Sequence, residues 1–382
     1  MFKDKVLKKI ILLIFIAFAA LLFSIFCSAE EISMPEDFAD IRDHLPSEAL
    51  DALPDGVFSD DLEAQSEAVY TMTSPKYIFS QIIDITGAQM GSAVRLFATV
   101  VALLILSSVV NALRASLASS SLGTAIRFCM TGAVMATIIG VQFSQLENVT
   151  RFFDRISSLM NAMIPVGSAV LAMGGNVSTA ALGGTTLAVL LGVCETLCAK
   201  TVVSVVCSCT ALSLCNTLSS ELGLRGFASA IRKTYAFILG AIMTLLLATL
   251  SSQTVLTAAS DSAGARAAKL FASTAIPIVG GTVGETLRTV AGGVSYLKSI
   301  VGVSGIIFVF LLLLPTLVSL ILTRLVLLLT GGVADMLGCE TEGKLLSELG
   351  SVWGVMIAVV SMCAVMFIFA LVIFVRITVA AA

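Results

Sequence analysis

The chain alternates long apolar runs with short polar breaks. A membrane-crossing helix needs about 20 apolar residues, since each adds about 1.5 Å across a hydrocarbon core of about 30 Å. Six runs qualify: 92–113, 128–146, 197–218, 234–255, 300–323 and 353–375. Backbone groups in lipid must be satisfied within the segment, so each run is predicted to be a helix. Between the second and third runs lies a less regular stretch, 156–195, apolar but rich in Gly, Ala and Ser. It reads either as a re-entrant hairpin or as two short spans. The expected fold class is an all-α polytopic membrane protein with about six to eight spans.

Two stretches carry an amphipathic helical period. In the first, Leu146, Val149, Phe153, Ile156, Met160 and Met163 form one line, with Glu147, Arg151, Asp154, Arg155 and Asn161 off it. In the second, Val283, Leu287, Val290, Val294, Leu297 and Val301 do the same, with Glu285, Arg288, Ser295 and Lys298 off it. Such helices lie in the interface or pack on a partner helix.

Composition narrows the class. Of 382 residues, 58% are hydrophobic and 12% charged, and mean hydropathy is +1.04. Soluble domains carry about 25% charged residues. A soluble enzyme, a disordered tail and a coiled coil are all excluded as defaults. The chain has one His, His44, and one Trp, Trp353.

The net charge of −3 conceals three regions: +3 over 1–29, −12 over 30–70 and +6 over 71–382. Lys3, Lys5, Lys8 and Lys9 precede an apolar run, Ile10 to Phe26, and then Cys27-Ser28-Ala29. That order reads as a secretory signal cleaved after Ala29, or as an uncleaved anchor. The acidic stretch that follows, to about residue 85, is then extracytosolic. It reads as a solvated spacer or as a docking segment for a basic partner. The domain layout is thus a signal (1–29), an acidic segment (30–85) and a helical membrane body (86–378).

Orientation follows the Lys/Arg bias of short loops. Arg114 and Arg127 bracket one linker, and Arg225, Arg232 and Lys233 mark another. Both linkers should face the cytoplasm.

The body carries weak self-similarity. The strings SSLG, SSELG and LSELG end at Gly123, Gly223 and Gly350. Ile164-Pro165-Val166-Gly167 followed by Gly174-Gly175 has a counterpart in Ile276-Pro277-Ile278-Val279-Gly280-Gly281. Two parallel units, 120–219 and 220–346, are the expected repeat. Pro165, Gly167, Gly174, Gly175, Pro277, Gly280, Gly281 and Pro315 are then the candidate pore or hinge positions, because irregular backbone at membrane depth survives only inside protein or along a wet cavity. Small residues also simply tighten helix contacts in lipid.

Glu195, Lys200 and Arg324 are candidate buried charges. A charge at mid-bilayer costs about 2.5–3.5 kcal/mol and is normally turned inward and paired. Glu195 with Arg324 is the pairing to test. Five cysteines cluster at Cys194, Cys198, Cys207, Cys209 and Cys215, without C-x-x-C and without a neighbouring His. They read as small apolar packers, not as a metal site. No P-loop, G-x-S-x-G, H-E-x-x-H or paired-carboxylate signature is present, and basic residues form no nucleic-acid surface. No catalytic residue and no cofactor is expected.

The Ile-Pro-x-Gly elements, and the run VGETLRTVAGGVSYLKSIVGVSGIIFVFLLLLPTLVSLILTRLVLLLTGGVADMLG near the C-terminus, resemble stage III sporulation protein AE of endospore-forming Firmicutes. The resemblance covers roughly 75–378. It implies a multi-span protein of the mother-cell membrane around the forespore. Its implied partners are the other stage III A-operon proteins and the forespore Q protein, in a channel or secretion-like conduit. The family implies no catalytic residues. Membrane lipid is the other expected partner, and a homo-oligomer remains open. The competing reading is a self-contained transporter for a small solute or ion.

Overall fold

The structure, a computed structural model, describes residues 53, 54 and 57 and the helical stretches 62–114, 120–173, 184–218, 224–275 and 280–376. Side chains are described over a narrower range, with none from 253 to 300. The signal, His44 and the second amphipathic line up to Leu297 therefore lie outside the described residues or side chains.

Every described element is a helix. They are α1 (Leu62–Thr73), α2 (Pro75–Arg114), α3 (Ser120–Met173), α4 (Gly184–Leu218), α5 (Leu224–Ala275), α6 (Gly280–Met336) and α7 (Glu340–Arg376). Six of them are long and apolar enough to cross a membrane: Pro75–Ala112, Phe128–Met173, Ala188–Thr217, Gly226–Ser252, Val301–Met336 and Glu340–Ile373. Each run read from the sequence falls on one of these. The protein is a multi-pass helical membrane protein.

The stretch 156–195 divides between two of these helices. Residues up to Met173 continue α3, and those from Gly184 open α4. Only 174–183 lie outside the described residues. Among the described residues the stretch adds no further span. The first amphipathic line explains the continuity: Leu146, Val149, Phe153, Ile156, Met160 and Met163 are all buried, so tertiary packing holds α3 helical past the apolar run.

Helical structure begins within the stretch read as the acidic segment. Pro75 already opens α2, and the Ser74 hydroxyl caps it by accepting the Tyr77 N–H at 3.2 Å. Ala68, Val69 and Met72 of α1 are buried, as is Val57 before it. This part of the segment packs onto the bundle.

Side-chain contacts fix the order of the bundle. Ser107 of α2, Thr131 of α3 and Glu342 of α7 meet at one end. Met163 of α3, Gly305 of α6 and Leu371 of α7 meet at the other. Thr201 bonds Tyr235, and Cys209 lies on the Ala228 carbonyl, so α4 and α5 are antiparallel.

The α6–α7 pair is the hub. Its spanning windows are 61% and 67% buried, against 17% for α2 and for α5. Between α6 and α7 the chain turns at Gly338, whose φ is +72°. The Cys339 N–H reaches the Ala334 carbonyl at 2.8 Å, and the Gly338 N–H reaches that of Asp335 at 3.3 Å. Both bonds satisfy carbonyls left over at a helix end, and the left-handed φ suits Gly. Along α7, Gly343, Gly350 and Gly354 face α6 at Gly331, Leu328 and Arg324. Small residues on one stripe let the two backbones approach closely, which is how helices associate without a hydrophobic drive in lipid.

Candidate functional site

Polar side chains converge on the inside of α3, α6 and α7. At one end Glu342, only 2% exposed, accepts the Thr131 hydroxyl at 2.7 Å and the Ser107 hydroxyl at 3.4 Å. The carboxylate sits in the first turn of α7, where the helix dipole favours negative charge. Next to it the Cys339 thiol lies 3.7 Å from the Leu104 carbonyl. Burial is the main influence on that thiol and pushes its pKa above the ordinary value.

Further along α3, Gln142 donates to Thr210 of α4 at 2.5 Å. Gln145, one turn on, donates to Ser319 at 2.9 Å and Thr323 at 3.3 Å on α6. The i,i+3 spacing aims both amides from one face of α3 into the bundle. Arg324 follows Thr323 and lays its guanidinium against Gly354. Glu348 is the other buried carboxylate of α7 besides Glu342. The buried Gln142 Oε1 and Trp353 Nε1 have no hydrogen-bond partner among the described residues. Ordered water commonly meets such atoms.

The predicted charges fall in different places. Glu195 is half-buried on α4. Arg324 lies on α6, against Gly354 of α7. Lys200 is exposed.

The hinge candidates divide similarly. Pro165 and Gly167 lie within α3, and Pro315 within α6, with no break in either helix. The Pro315 carbonyl instead receives an N–H from Gln89 of α2 at 2.9 Å. Gly280 and Gly281 open α6. Gly174, Gly175 and Pro277 lie outside the described residues.

Sequence reading missed the buried amides, because neither Gln142 nor Gln145 is charged or part of a motif. It also missed that Cys363 of α7 joins Cys194 and Cys198 of α4. Their three sulfur atoms all lie within 4.8 Å of one another. The signal was the i,i+4 spacing of Cys194 and Cys198, which puts both on one helix face.

Among known families, residues 62–378 match the one described as stage III sporulation protein AE. The chain belongs to the stage III sporulation protein AE family. The match takes in all seven described helices. The family gives this membrane protein a role in sporulation. Neither a curated protein nor a solved structure matches the chain. The stage III AE family is not a known enzyme family.

Proposed function

We propose that this stage III AE protein is a membrane-embedded subunit of a trans-envelope channel or secretion-like complex needed for endospore formation. The family match over 62–378 carries this reading. Under it, the chain sits in the mother-cell membrane around the forespore. Its partners are the other stage III A-operon products and the forespore Q protein. It works without a catalytic step of its own.

The helix lengths support a role that reaches beyond one bilayer. α3, α5 and α6 have 54, 52 and 57 residues. At 1.5 Å per residue each exceeds about 75 Å, more than twice the hydrocarbon core. The antiparallel order sends the surplus of all three toward the end away from the Arg114 and Arg225 linkers. On the positive-inside rule that end is extracytosolic and faces the space between the two membranes. We also read α3–α4 and α5–α6 as the two parallel units of the internal repeat.

Affinity purification from sporulating cells tests the reading. The expected result is co-purification with the stage III A-operon proteins, and a sporulation block after engulfment when the gene is deleted. A protein that isolates alone and moves a solute in liposomes sinks it in favour of a self-contained transporter.

A further inference from the structure

Cys194 and Cys198 are one helical turn apart on α4, and Cys363 faces them from α7. All three side chains are buried, each at 0% exposure. The Cys194 sulfur is 4.0 Å from that of Cys363 and 3.4 Å from the thioether sulfur of Met243 on α5. Three helices thus deliver four sulfur atoms to one point. Simple packing asks only for small apolar volume there, and does not require four sulfurs to converge among so many Ala, Val and Leu.

The spacing matches a metal's demands. A metal–thiolate bond is about 2.3 Å. Three such bonds in a trigonal plane set the sulfurs about 4.0 Å apart by geometry alone. The observed Cys194–Cys363 separation is that distance, and the other sulfurs need only a small contraction from 4.8 Å or less.

The donor set then selects the ion. Structural zinc takes four ligands from thiolate, imidazole and carboxylate. Here the fourth sulfur is a thioether, and no His lies within the described residues. Thiolate with thioether is the soft set that suits monovalent copper. We propose that Cys194, Cys198 and Cys363, with Met243 beside them, form a buried copper(I) site that ties α4 and α5 to α7. Each thiol that binds gives up its proton, so uptake releases protons and weakens as pH falls.

The test uses the full chain purified in detergent under reducing conditions. It is titrated with copper(I) held by a chromophoric chelator, and separately with zinc(II). The wild type should withdraw one copper(I) per chain that Cys363→Ser does not withdraw. Cys207→Ser, which alters a cysteine of α4 outside the cluster, should keep it. Met243→Leu should retain the ion with roughly tenfold weaker affinity, as for a lost partner beside a metal site. X-ray absorption of the loaded wild type should show sulfur alone around copper, and decides the matter if Cys363→Ser fails to fold. Equal copper uptake by wild type and Cys363→Ser, retention of zinc in place of copper, or nitrogen and oxygen in the copper shell would each overturn the proposal.

Discussion

Arg324 of α6 reaches Gly354 of α7 so closely that a Cβ on Gly354 would stand 3.3 Å from the guanidinium carbon. The glycine is what admits a cation into the seam of the two most buried helices. Ala at this position gains about 1 kcal/mol of helix propensity over Gly and needs only a few tenths of an ångström from a long, flexible side chain. Gly354→Ala should therefore be near neutral. Gly354→Leu should cost about 1–3 kcal/mol by overpacking, read as thermal unfolding in detergent. Arg324→Gln should recover part of that loss in the double variant. A Gly354→Leu chain as stable as the wild type would refute the contact.

Glu342 holds two hydroxyls that have left water. Glu342→Ala strands Thr131 and Ser107 and should cost about 1–3 kcal/mol. Glu342→Gln keeps one acceptor and should cost less. If the two variants unfold at the same temperature, the carboxylate is not the node the geometry indicates.

Gln145 should matter less than Glu342, although each has two partners on other helices. Interhelical hydrogen bonds within membranes average about 0.6 kcal/mol. Thr323 also has a local partner, the Ser319 carbonyl at 2.8 Å. Gln145→Leu should lose well under 2 kcal/mol. A larger loss than that of Glu342→Ala would reverse this ranking.

The Cys339 thiol is held protonated by burial. Its folded pKa lies above the unfolded value of about 8.5, so its contribution to stability is complete below that pH. The contribution fades as pH rises through the folded value. Alkylation at Cys339 should stay slow at pH 8 and accelerate only in more alkaline buffer. The fall of stability above about pH 8.5 should be shallower in Cys339→Ala. Fast alkylation at neutral pH would contradict the assignment.

Orientation is checked with introduced cysteines. With the chain expressed in the cell membrane of non-sporulating cells, a membrane-impermeant maleimide should label Ser178→Cys in intact cells. Ser120→Cys and Ser220→Cys should react only after permeabilisation. The opposite pattern would invert the topology.

Much of this bundle was legible in the chain. The six runs became six spans because about 20 apolar residues in lipid have little choice but a helix. The buried line from Leu146 to Met163 was legible because its period matches the α-helix. Pro165 did not end α3: it is exposed, while its neighbours Met163 and Val166 are buried and hold the helix in place. Hydropathy gives spans and not their neighbours, so it did not report the approach of Arg324 to Gly354. The contact of Cys194 with Cys363 spans 169 positions, and no local period reports on that.

The turn at Gly338 has a consequence for biosynthesis. The hairpin it closes is the last part of the bundle to leave the ribosome, and it is also the part around which the other helices are arranged. Until it inserts, Thr131 lacks its carboxylate and Gln145 lacks Ser319 and Thr323. A chain halted before residue 300 would hold those amides and hydroxyls against lipid or water. Quality control of such nascent chains can thus act on exposed polar groups within the bilayer, and not only on exposed apolar ones.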